Sequence, residues 1–307
     1  MITGKTIPEH IRMLVIDIDG TLLNPEGKIA APTREAVQAA QQAGIIVTLA
    51  TARRYCNTGQ IADELGLQIP LILYDGAMIV QHPQGTILHT QTLSADIAQQ
   101  TVNILLQHGV QPVVHPDTGL DEQIWTGSAD FDNLWLDAYF TTYPDMVRRM
   151  PYAQLCAGQA DPLRVVAFDA EEAILSVSPQ IAALDCSWTT IKRGNYGCAE
   201  LAVMHTGCSK ASGVVALARL FDLPPGEVMA IGDNNNDIRM LQCAGWGVAM
   251  GQAPLAVKAA ARAVTASNAE DGVAQAIQLY ALGDGLLEAR RSASMVDSNS
   301  LKRTTCL

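Results

Sequence analysis

Two aspartates, Asp17 and Asp19, stand one residue apart directly after the apolar run 13–16, and Gly20 and Thr21 follow them. A short continuous apolar run is typical of a buried parallel strand, whose carboxyl end delivers side chains to a loop. Two neighbouring carboxylates repel each other unless a cation lies between them or one of them holds a proton. The spacing therefore favours a divalent metal site, although an ordinary Asp-x-Asp-Gly turn would use the same residues.

Three further clusters follow predicted strands or open a predicted helix later in the chain. Their members are Thr51, Ala52, Arg53, Lys210, Asp233, Asn236 and Asp237. Carboxylates, one lysine and small hydroxyl or amide groups can hold a magnesium ion and a phosphate group together. Taken singly, each residue also fits an ordinary strand end, helix start or polar loop. The helix dipole disfavours a lysine in the first turn, which favours a functional role for Lys210.

These clusters need a scaffold that brings distant parts of the chain together. Apolar runs at 45–50 and 69–73 predict two more strands, and helical spacing at 33–43 and 57–65 predicts helices between them. Thr33 is predicted to cap the first of these helices. The alternation is typical of an α/β fold with a doubly wound parallel sheet, which binds ligands beyond the carboxyl ends of its strands. We therefore expect the polar strand ends to share one crevice.

The pattern changes in the middle of the chain, where we expect a smaller α+β cap domain inserted into the sheet domain. Its predicted elements are a hairpin at 77–81 and 86–89, helices at 94–108 and 171–184, and strands at 110–115, 163–168, 186–191 and 198–204. Ser94 is predicted to cap the first of these helices, and residues 116–162 receive no assignment. The doubly wound pattern resumes with helices at 209–221, 238–243, 254–261 and 272–282 and strands at 228–231, 246–250 and 263–264.

Composition and pattern together predict the domain boundaries. We expect a core domain at residues 1–82, the cap at 83–204, the second part of the core at 205–285 and a disordered tail at 286–307. The tail is rich in Ser, Arg, Lys and Thr, which gives it little apolar surface to bury. In the cap, the aromatic residues together with Arg193, Asn195 and Tyr196 are candidates either for substrate contact or for ordinary packing.

Charge and apolar patterning exclude several classes of partner. The formal net charge is −11, whereas a nucleic-acid surface needs clustered Lys and Arg to neutralise phosphates. No apolar stretch approaches the length that crosses a bilayer, and residues 1–12 contain no apolar signal-peptide core. We therefore expect a cytoplasmic protein without nucleic-acid or membrane partners. The seven cysteines are scattered without a Cys-x-x-Cys pair, which predicts reduced thiols.

The clusters, in this order, resemble the motifs of the haloacid dehalogenase superfamily, in particular its Cof-type sugar phosphatases of subfamily IIB. The resemblance rests on Asp17-Ile18-Asp19-Gly20-Thr21-Leu22-Leu23, Ala50-Thr51-Ala52-Arg53, Gly207-Cys208-Ser209-Lys210-Ala211 and Gly232-Asp233-Asn234-Asn235-Asn236-Asp237. It covers residues 12–282, with a cap-sized gap before the lysine. The family implies a Rossmann-like core with an inserted cap.

The resemblance also implies a role for each motif residue. Asp17 is the implied nucleophile, which becomes an aspartyl phosphate, and Asp19 is the implied general acid and base. Asp17, the main-chain carbonyl of Asp19 and Asp233 would hold Mg²⁺, with Asp237 orienting Lys210 or a metal-bound water. The residues implied in binding the substrate phosphate are Thr51, Ala52, Arg53, Lys210 and Asn236.

Two positions depart from the family pattern. Ala52 stands where the family usually has glycine, which changes how closely the backbone can approach a phosphate. Asp75 stands in Tyr74-Asp75-Gly76-Ala77, where the family often has Asn-Gly-Ala. A carboxylate near an anionic substrate weakens phosphate binding unless it is turned away or paired.

We therefore expect a Mg²⁺-dependent phosphatase that hydrolyses small phosphate esters, such as sugar phosphates or phosphorylated cofactors, through an aspartyl phosphate. The alternatives are a phosphomutase of the same fold and a catalytically weakened protein that binds a phosphorylated metabolite. The expected partner is a small phosphorylated metabolite, and the chain is expected to be a monomer or a homodimer.

Overall fold

The fold is described by a computed structural model, which covers residues 10–283 apart from residues 193 and 195. The predicted tail at 286–307 and the candidates Arg193 and Asn195 lie outside the described residues. The chain forms two compact units. The first unit contains the described residues up to Val47, then Ala218–Asp233 and residues 241–283, and the second contains Thr48–Leu217 and Asn234–Met240. The predicted boundaries divide the chain by sequence position, whereas these two units are defined by contacts. The predicted boundaries therefore stay a prediction.

Fourteen strands and nine α-helices are found in the described part of the chain. The strands are β1 (Met13–Ile16), β2 (Ile46–Leu49), β3 (Pro70–Leu73), β4 (Met78–Gln81), β5 (Thr86–Thr90), β6 (Pro112–His115), β7 (Ile124–Thr126), β8 (Val147–Arg149), β9 (Arg164–Asp169), β10 (Cys186–Ile191), β11 (Ala199–His205), β12 (Val228–Gly232), β13 (Trp246–Ala249) and β14 (Ala263–Val264). The helices are α1 (Ala31–Gln42), α2 (Tyr55–Glu64), α3 (Ala95–Gln107), α4 (Leu134–Thr142), α5 (Glu171–Ile181), α6 (Lys210–Leu220), α7 (Ile238–Cys243), α8 (Leu255–Ala260) and α9 (Gly272–Ala276).

The first unit is built on a sheet with the strand order β14-β13-β12-β1-β2. β1 pairs in parallel with β12, β12 with β13, and β13 with β14. All residues of β1, β12 and β13 are buried, as their continuous apolar sequences predict for strands covered on both faces. The predicted α/β class with a parallel sheet is therefore confirmed.

The start of α1 differs from the prediction. The helix begins at Ala31, two residues before the predicted cap, and the residue that precedes it, Ala30, makes no side-chain capping hydrogen bond. Pro32 lies in the first turn, where its fixed φ suits a helix and its missing N–H costs nothing. Thr33 is buried inside the helix instead of capping it, so the predicted cap is wrong.

The second unit contains a six-stranded sheet with the order β10-β11-β9-β6-β7-β8. Its neighbours are antiparallel except for β7 and β8, which are parallel. α3 and α5 pack on one face through apolar residues spaced along each helix, and Ser94 caps α3 by accepting a hydrogen bond from Ile97 N at 3.3 Å. This confirms the predicted separate α+β cap.

Residues 116–162, which received no assignment from the sequence, complete this cap. They contain β7, β8 and α4, joined by single-turn helices. Tyr139 and Phe140 of α4 are buried against Phe168 of β9 on the sheet face opposite α3 and α5. Of the two interpretations left open for the cap aromatics, these two residues follow ordinary packing.

The sequence predicted β3 as a further strand of the parallel sheet, and the structure joins it there only by one bridge. It forms a three-stranded sheet in the order β3-β4-β5, whose pairs are antiparallel, and a single parallel bridge joins Ala50 to Ile72. The single-turn helix Tyr74–Gly76 separates β3 from β4 and folds β4 back on β3. A turn this short suits an antiparallel pair, whereas a parallel neighbour needs a crossover of a dozen or more residues.

Two further expectations concern membranes and cysteines. Within residues 10–283, no helix has both the length and the apolar character needed to cross a bilayer. No disulfide joins the six described cysteines, which agrees with the predicted reduced thiols. Cys306 lies outside the described residues.

Candidate functional site

Asp17 lies at the carboxyl end of β1, where the parallel register of the sheet places it beside the end of β12. Ile16 is paired with Ile231, and Asp17 N donates to Ile231 O at 3.0 Å. Asp233 follows the last residue of β12, so both side chains leave the same edge of the sheet. Their carboxylate oxygens lie within 4.8 Å of each other, and the Asp17 residue is only 4% exposed. The structure thus brings together the two aspartates that are 216 positions apart in the sequence.

The turn after Asp17 fits closely around the Asp233 carboxylate. Thr21 Oγ1 donates to Asp233 Oδ1 at 3.2 Å. Gly20 has a φ of +78°, and a Cβ at this position would lie 2.5 Å from Asp233 Oδ2. Asp19 is half-buried in the same turn. Gly20 therefore allows the turn to approach the carboxylate more closely than any other residue type would.

Replacing Gly20 by Ala is expected to displace the Asp233 carboxylate. A displacement of about 1 Å lowers turnover by about 100-fold when a reacting group is misplaced. Gly27 is a matched control, since its φ is +72° and its Cβ would meet nothing within 4 Å. We expect Gly27→Ala to lose about 1 kcal/mol of unfolding free energy, because it places a Cβ at positive φ, and Gly20→Ala to lose more, because its Cβ also overlaps Asp233. Only Gly20→Ala should lose activity, and equal activity of the two variants would contradict this account of the turn.

Asp17 and Asp233 form a donor set that fits a hard divalent cation. Both offer carboxylate oxygens, which are the ligands that Mg²⁺ prefers, and a cation between them would cancel their mutual repulsion. The hydrogen bond from Thr21 fixes one Asp233 oxygen. The predicted participation of the Asp19 main-chain carbonyl stays a prediction.

In the second unit, Lys210 opens α6 and reaches a buried carboxylate. Lys210 Nζ donates to Asp237 Oδ1 at 2.7 Å, and the two side chains are 2% and 0% exposed. The other Asp237 oxygen accepts from Asn234 N at 2.9 Å, which closes the single-turn helix Asn235–Asp237. A lysine is buried this deeply only when a charged partner compensates its desolvation. The predicted contact between Asp237 and Lys210 is therefore present.

The predicted phosphate-binding loop follows β2 in the second unit. Thr51 is buried, and its hydroxyl oxygen accepts from Arg53 N at 3.1 Å. The hydroxyl hydrogen can then donate to another group. The backbone of the loop is also fixed, because Thr51 O accepts from Asp75 N at 2.9 Å and Ala52 O accepts from Arg164 Nη2 at 2.7 Å.

Asp75, the residue that departs from the family pattern, is paired. Its Oδ2 accepts from Arg164 Nη1 at 3.1 Å, and its Oδ1 accepts from Asn236 Nδ2 at 2.9 Å. Both members of the ion pair are buried. We expected a carboxylate at this position to weaken phosphate binding unless it was turned away or paired. Arg164 pairs with it. A charged residue at the start of the apolar strand 164–169 was the signal that could have identified this partner.

A second buried arginine joins the cap to the start of α2. Arg54 Nη1 donates to the main-chain oxygen of Glu122 at 3.0 Å, and Arg54 Nη2 donates to the Tyr139 hydroxyl. The Glu122 carboxylate accepts from the backbone N–H groups of Tyr55 at 2.6 Å and Cys56 at 2.9 Å. A carboxylate from a distant part of the chain thus satisfies the N–H groups at the start of this helix. Sequence reasoning missed these residues.

His115 lies between the two arginines. Arg164 Nε donates to His115 Nδ1 at 3.0 Å, and Arg54 Nη2 is 3.0 Å from His115 Nε2. Burial lowers the pKa of His115 well below its usual value, and the two guanidinium groups lower it further. Burial also raises the pKa of Tyr139 to about 12. His115 is therefore a neutral hydrogen-bonding group at neutral pH.

Comparison with known proteins identifies the family. A family profile described as haloacid dehalogenase-like hydrolase matches residues 14–277. The putative phosphatase YxeH of Bacillus subtilis is 29% identical over 274 residues, covering 87% of this chain and 97% of that protein. The pyridoxal phosphate phosphatase YbhA of Escherichia coli is 26% identical over 276 residues, covering 87% and 97%. A Bacillus subtilis 5-amino-6-(5-phospho-D-ribitylamino)uracil phosphatase, YitU, is 27% identical with the same coverage.

Similar solved structures indicate the same family. A sugar phosphatase of haloacid dehalogenase subclass IIB superposes with a TM-score of 0.73 at 26% identity, covering 87% of this chain and 98% of that one. A haloacid dehalogenase-like hydrolase from B. subtilis superposes with a TM-score of 0.72 at 25% identity, covering 87% and 99%. The chain therefore belongs to the haloacid dehalogenase superfamily and is a Cof-type phosphatase of its subclass IIB.

Proposed function

We propose that this phosphatase hydrolyses small phosphate esters, sugar phosphates or phosphorylated cofactors, with Mg²⁺ and through an aspartyl phosphate on Asp17. The observation that carries the proposal is the buried Asp17 carboxylate within 4.8 Å of Asp233 at the aligned ends of β1 and β12. Relatives named as phosphatases of pyridoxal phosphate and of a phosphoribityl compound support the substrate class.

The proposed reaction has two steps, which use Asp17 and Asp19. A carboxylate oxygen of Asp17 attacks phosphorus while the bond to the alcohol oxygen breaks, and Asp19 gives that oxygen its proton. A water molecule then attacks phosphorus, Asp19 takes a proton from it, and the bond to Asp17 breaks, which releases inorganic phosphate. Asp17 needs no base to activate it, because a carboxylate is already ionised at neutral pH.

Mg²⁺ would be held by Asp17, Asp233 and the main-chain carbonyl of Asp19. When bound, the ion supplies positive charge that stabilises the phosphoryl oxygens in the transition state. The protein supplies the orientation of its ligands, in which the Thr21 hydrogen bond fixes the Asp233 carboxylate.

The substrate phosphate would be bound by donors at the start of α6 and in the loop after β2. Lys210 offers a charged donor whose position is set by Asp237, and the Thr51 hydroxyl hydrogen remains available beyond its contact with Arg53 N. Arg53 and the backbone of Ala52 complete the proposed set. We propose that the cap, residues 83–204, excludes bulk water and selects the leaving group.

Metal removal tests the cofactor directly. We expect hydrolysis of p-nitrophenyl phosphate to fall to background in EDTA and to return with MgCl₂. Ca²⁺ should restore less activity, since it is larger and tolerates irregular geometry. Asp233→Asn is expected to raise the Mg²⁺ concentration for half-activation by about 10-fold or more, because one charged ligand is lost.

Full activity of the wild-type protein in EDTA would contradict the proposed cofactor. Free phosphate and isomerised sugar phosphate should both be measured in assays with glucose 6-phosphate as the substrate. A phosphomutase would accumulate the isomer with little free phosphate, whereas the proposed phosphatase releases phosphate in proportion to the alcohol.

A further inference from the structure

The side-chain amide of Asn236 has a fixed orientation in this protein. A carboxylate has only acceptors, so the amide must turn Nδ2 toward Asp75, and the 2.9 Å contact joins these two groups. The carbonyl oxygen Oδ1 of Asn236 then points elsewhere. This oxygen is buried, and no donor among the described residues reaches it. A buried acceptor without a donor costs free energy comparable to a lost hydrogen bond.

Asp75 is itself held from two sides. Arg164 of cap strand β9 donates to its other oxygen at 3.1 Å, and Asp75 N donates to Thr51 O at 2.9 Å. The next residue, Gly76, lies so close to Ser209 that a Cβ there would overlap the Ser209 carbonyl oxygen. Asp75 therefore stands among the phosphate-binding loop, the start of α6 and the Asn235–Asp237 turn.

We propose that Asp75 is a positioning residue, which locks Asn236 so that its Oδ1 accepts a hydrogen bond from an O–H group of the bound phosphate ester. The O–H group belongs either to a protonated phosphoryl oxygen or to a hydroxyl of the leaving group. The inference rests on the proposed function and changes one part of it. Asn236, expected from the sequence as a phosphate-binding residue, presents an acceptor rather than a donor.

The carboxylate of Asp75 determines which amide atom of Asn236 faces the ligand. An asparagine side chain at position 75 would still accept from Arg164 through its Oδ1, but its Nδ2 would donate to position 236. The amide of Asn236 would then turn over and present Nδ2 to the ligand. Asp75→Asn keeps the shape of the side chain, and asparagine tolerates the positive φ of 55° at this position. The single variant therefore changes the polarity of the Asn236 amide while keeping the side-chain shape. It also removes the negative charge that pairs with the buried Arg164, which lowers stability.

A swap of the two residues separates polarity from packing. In Asp75→Asn/Asn236→Asp, the new amide at position 75 donates to the new carboxylate at position 236, whose second oxygen remains an acceptor in the position of the original Oδ1. In Asn236→Asp alone, two carboxylates face each other. Asn235→Asp is the matched control, because it adds a carboxylate to the same turn at an exposed residue.

Steady-state kinetics of these variants test the proposal. We expect kcat/KM to fall about 10-fold in Asp75→Asn and about 100-fold in Asn236→Asp, the range for a lost hydrogen bond to a polar or charged group. The swap should exceed Asn236→Asp by about 10-fold, because it restores the hydrogen bond between the two residues, while the negative charge at position 236 keeps it below wild type. Asn235→Asp should stay close to wild type. A swap no better than the poorer single variant, or an unchanged Asp75→Asn, would overturn the proposal.

Two substrates distinguish the sources of the O–H group. p-Nitrophenyl phosphate has no hydroxyl on its leaving group, whereas glucose 6-phosphate has several. Equal losses of kcat/KM in Asp75→Asn for both substrates would assign the hydrogen bond to the phosphoryl oxygen. A loss confined to glucose 6-phosphate would assign it to the leaving group, and either result supports the acceptor role.

Thermal unfolding and phosphate inhibition provide readouts that do not depend on turnover. The unfolding midpoint should fall in Asn236→Asp, where two carboxylates repel each other, and in Asp75→Asn, where Arg164 loses its carboxylate partner. The swap should recover part of the loss of Asn236→Asp, because it removes the repulsion. If wild type shows no Mg²⁺-dependent hydrolysis, the proposed function fails. If wild type is active but the swap rescues neither kcat/KM nor the inhibition constant for inorganic phosphate, only the present inference fails.

Discussion

Asp17→Asn should lower the kcat for p-nitrophenyl phosphate by a factor of about 10⁴ or more, because the amide cannot form the covalent intermediate. The substitution should not destabilise the folded protein. Asp17 and Asp233 carry carboxylates within 4.8 Å of each other, and neutralising one of them removes their repulsion. We expect the unfolding midpoint of Asp17→Asn without Mg²⁺ to equal or exceed that of wild type, as is common when a residue that serves activity rather than stability is replaced.

The intermediate can be observed directly. Wild-type protein quenched with acid during turnover should gain the mass of one phosphoryl group, and Asp17→Asn should not. Asp222→Asn is a matched control, because it makes the same chemical change at a position of the first unit outside the site, whose φ of +50° asparagine tolerates. Wild-type turnover and phosphoryl trapping in Asp17→Asn would disprove the proposed nucleophile.

The sequence predicted the acidic site because its signals are local. β1 and β12 are continuous apolar runs that end in Asp17 and Asp233, and a parallel sheet aligns such ends without further information. In this parallel pair, Ile16 of β1 lies opposite Ile231 of β12. One apolar run, β3, was predicted as a full strand of the parallel sheet. It meets the end of β2 by a single parallel bridge and pairs mainly with β4, because its sequence indicates a buried strand but not its main neighbour.

The cap was harder to predict because its elements are short and weakly patterned. α4 has nine residues, with apolar side chains around most of its circumference, and β7 and β8 have three residues each. Periodicity needs longer segments than these to distinguish a helix from a strand.

The buried polar contacts were beyond sequence reasoning for a different reason. Arg54, Glu122 and Arg164 belong to no motif, and their partners lie 48 to 112 positions away in the chain. From the sequence alone, each of these residues resembles an ordinary exposed charged residue, whereas the structure buries all three. Asp75 shows the consequence, because its effect on the site depends on an arginine that the sequence did not connect to it.

Lys210→Met should lower the unfolding free energy by about 3–5 kcal/mol, because it leaves the buried Asp237 carboxylate without its ammonium partner. The same variant should lower kcat/KM by about 100-fold or more, the cost of one lost donor to the transferring phosphoryl group. Urea unfolding and kinetics, both at a temperature where the variant is folded, measure the two effects. Lys192 pairs with Glu171 at 2.8 Å but is 78% exposed, so Lys192→Met is the matched control and should change neither quantity appreciably.

A second change separates the two roles of Lys210. In Lys210→Met/Asp237→Asn the buried charge is gone, and the new amide oxygen can still accept from Asn234 N, as Asp237 Oδ2 does at 2.9 Å. We expect this variant to recover most of the lost unfolding free energy, since neutralising both partners removes the uncompensated charge. Its kcat/KM should remain as low as that of Lys210→Met, because no ammonium group reaches the phosphate. Recovery of activity together with stability would show that Lys210 serves only to compensate Asp237.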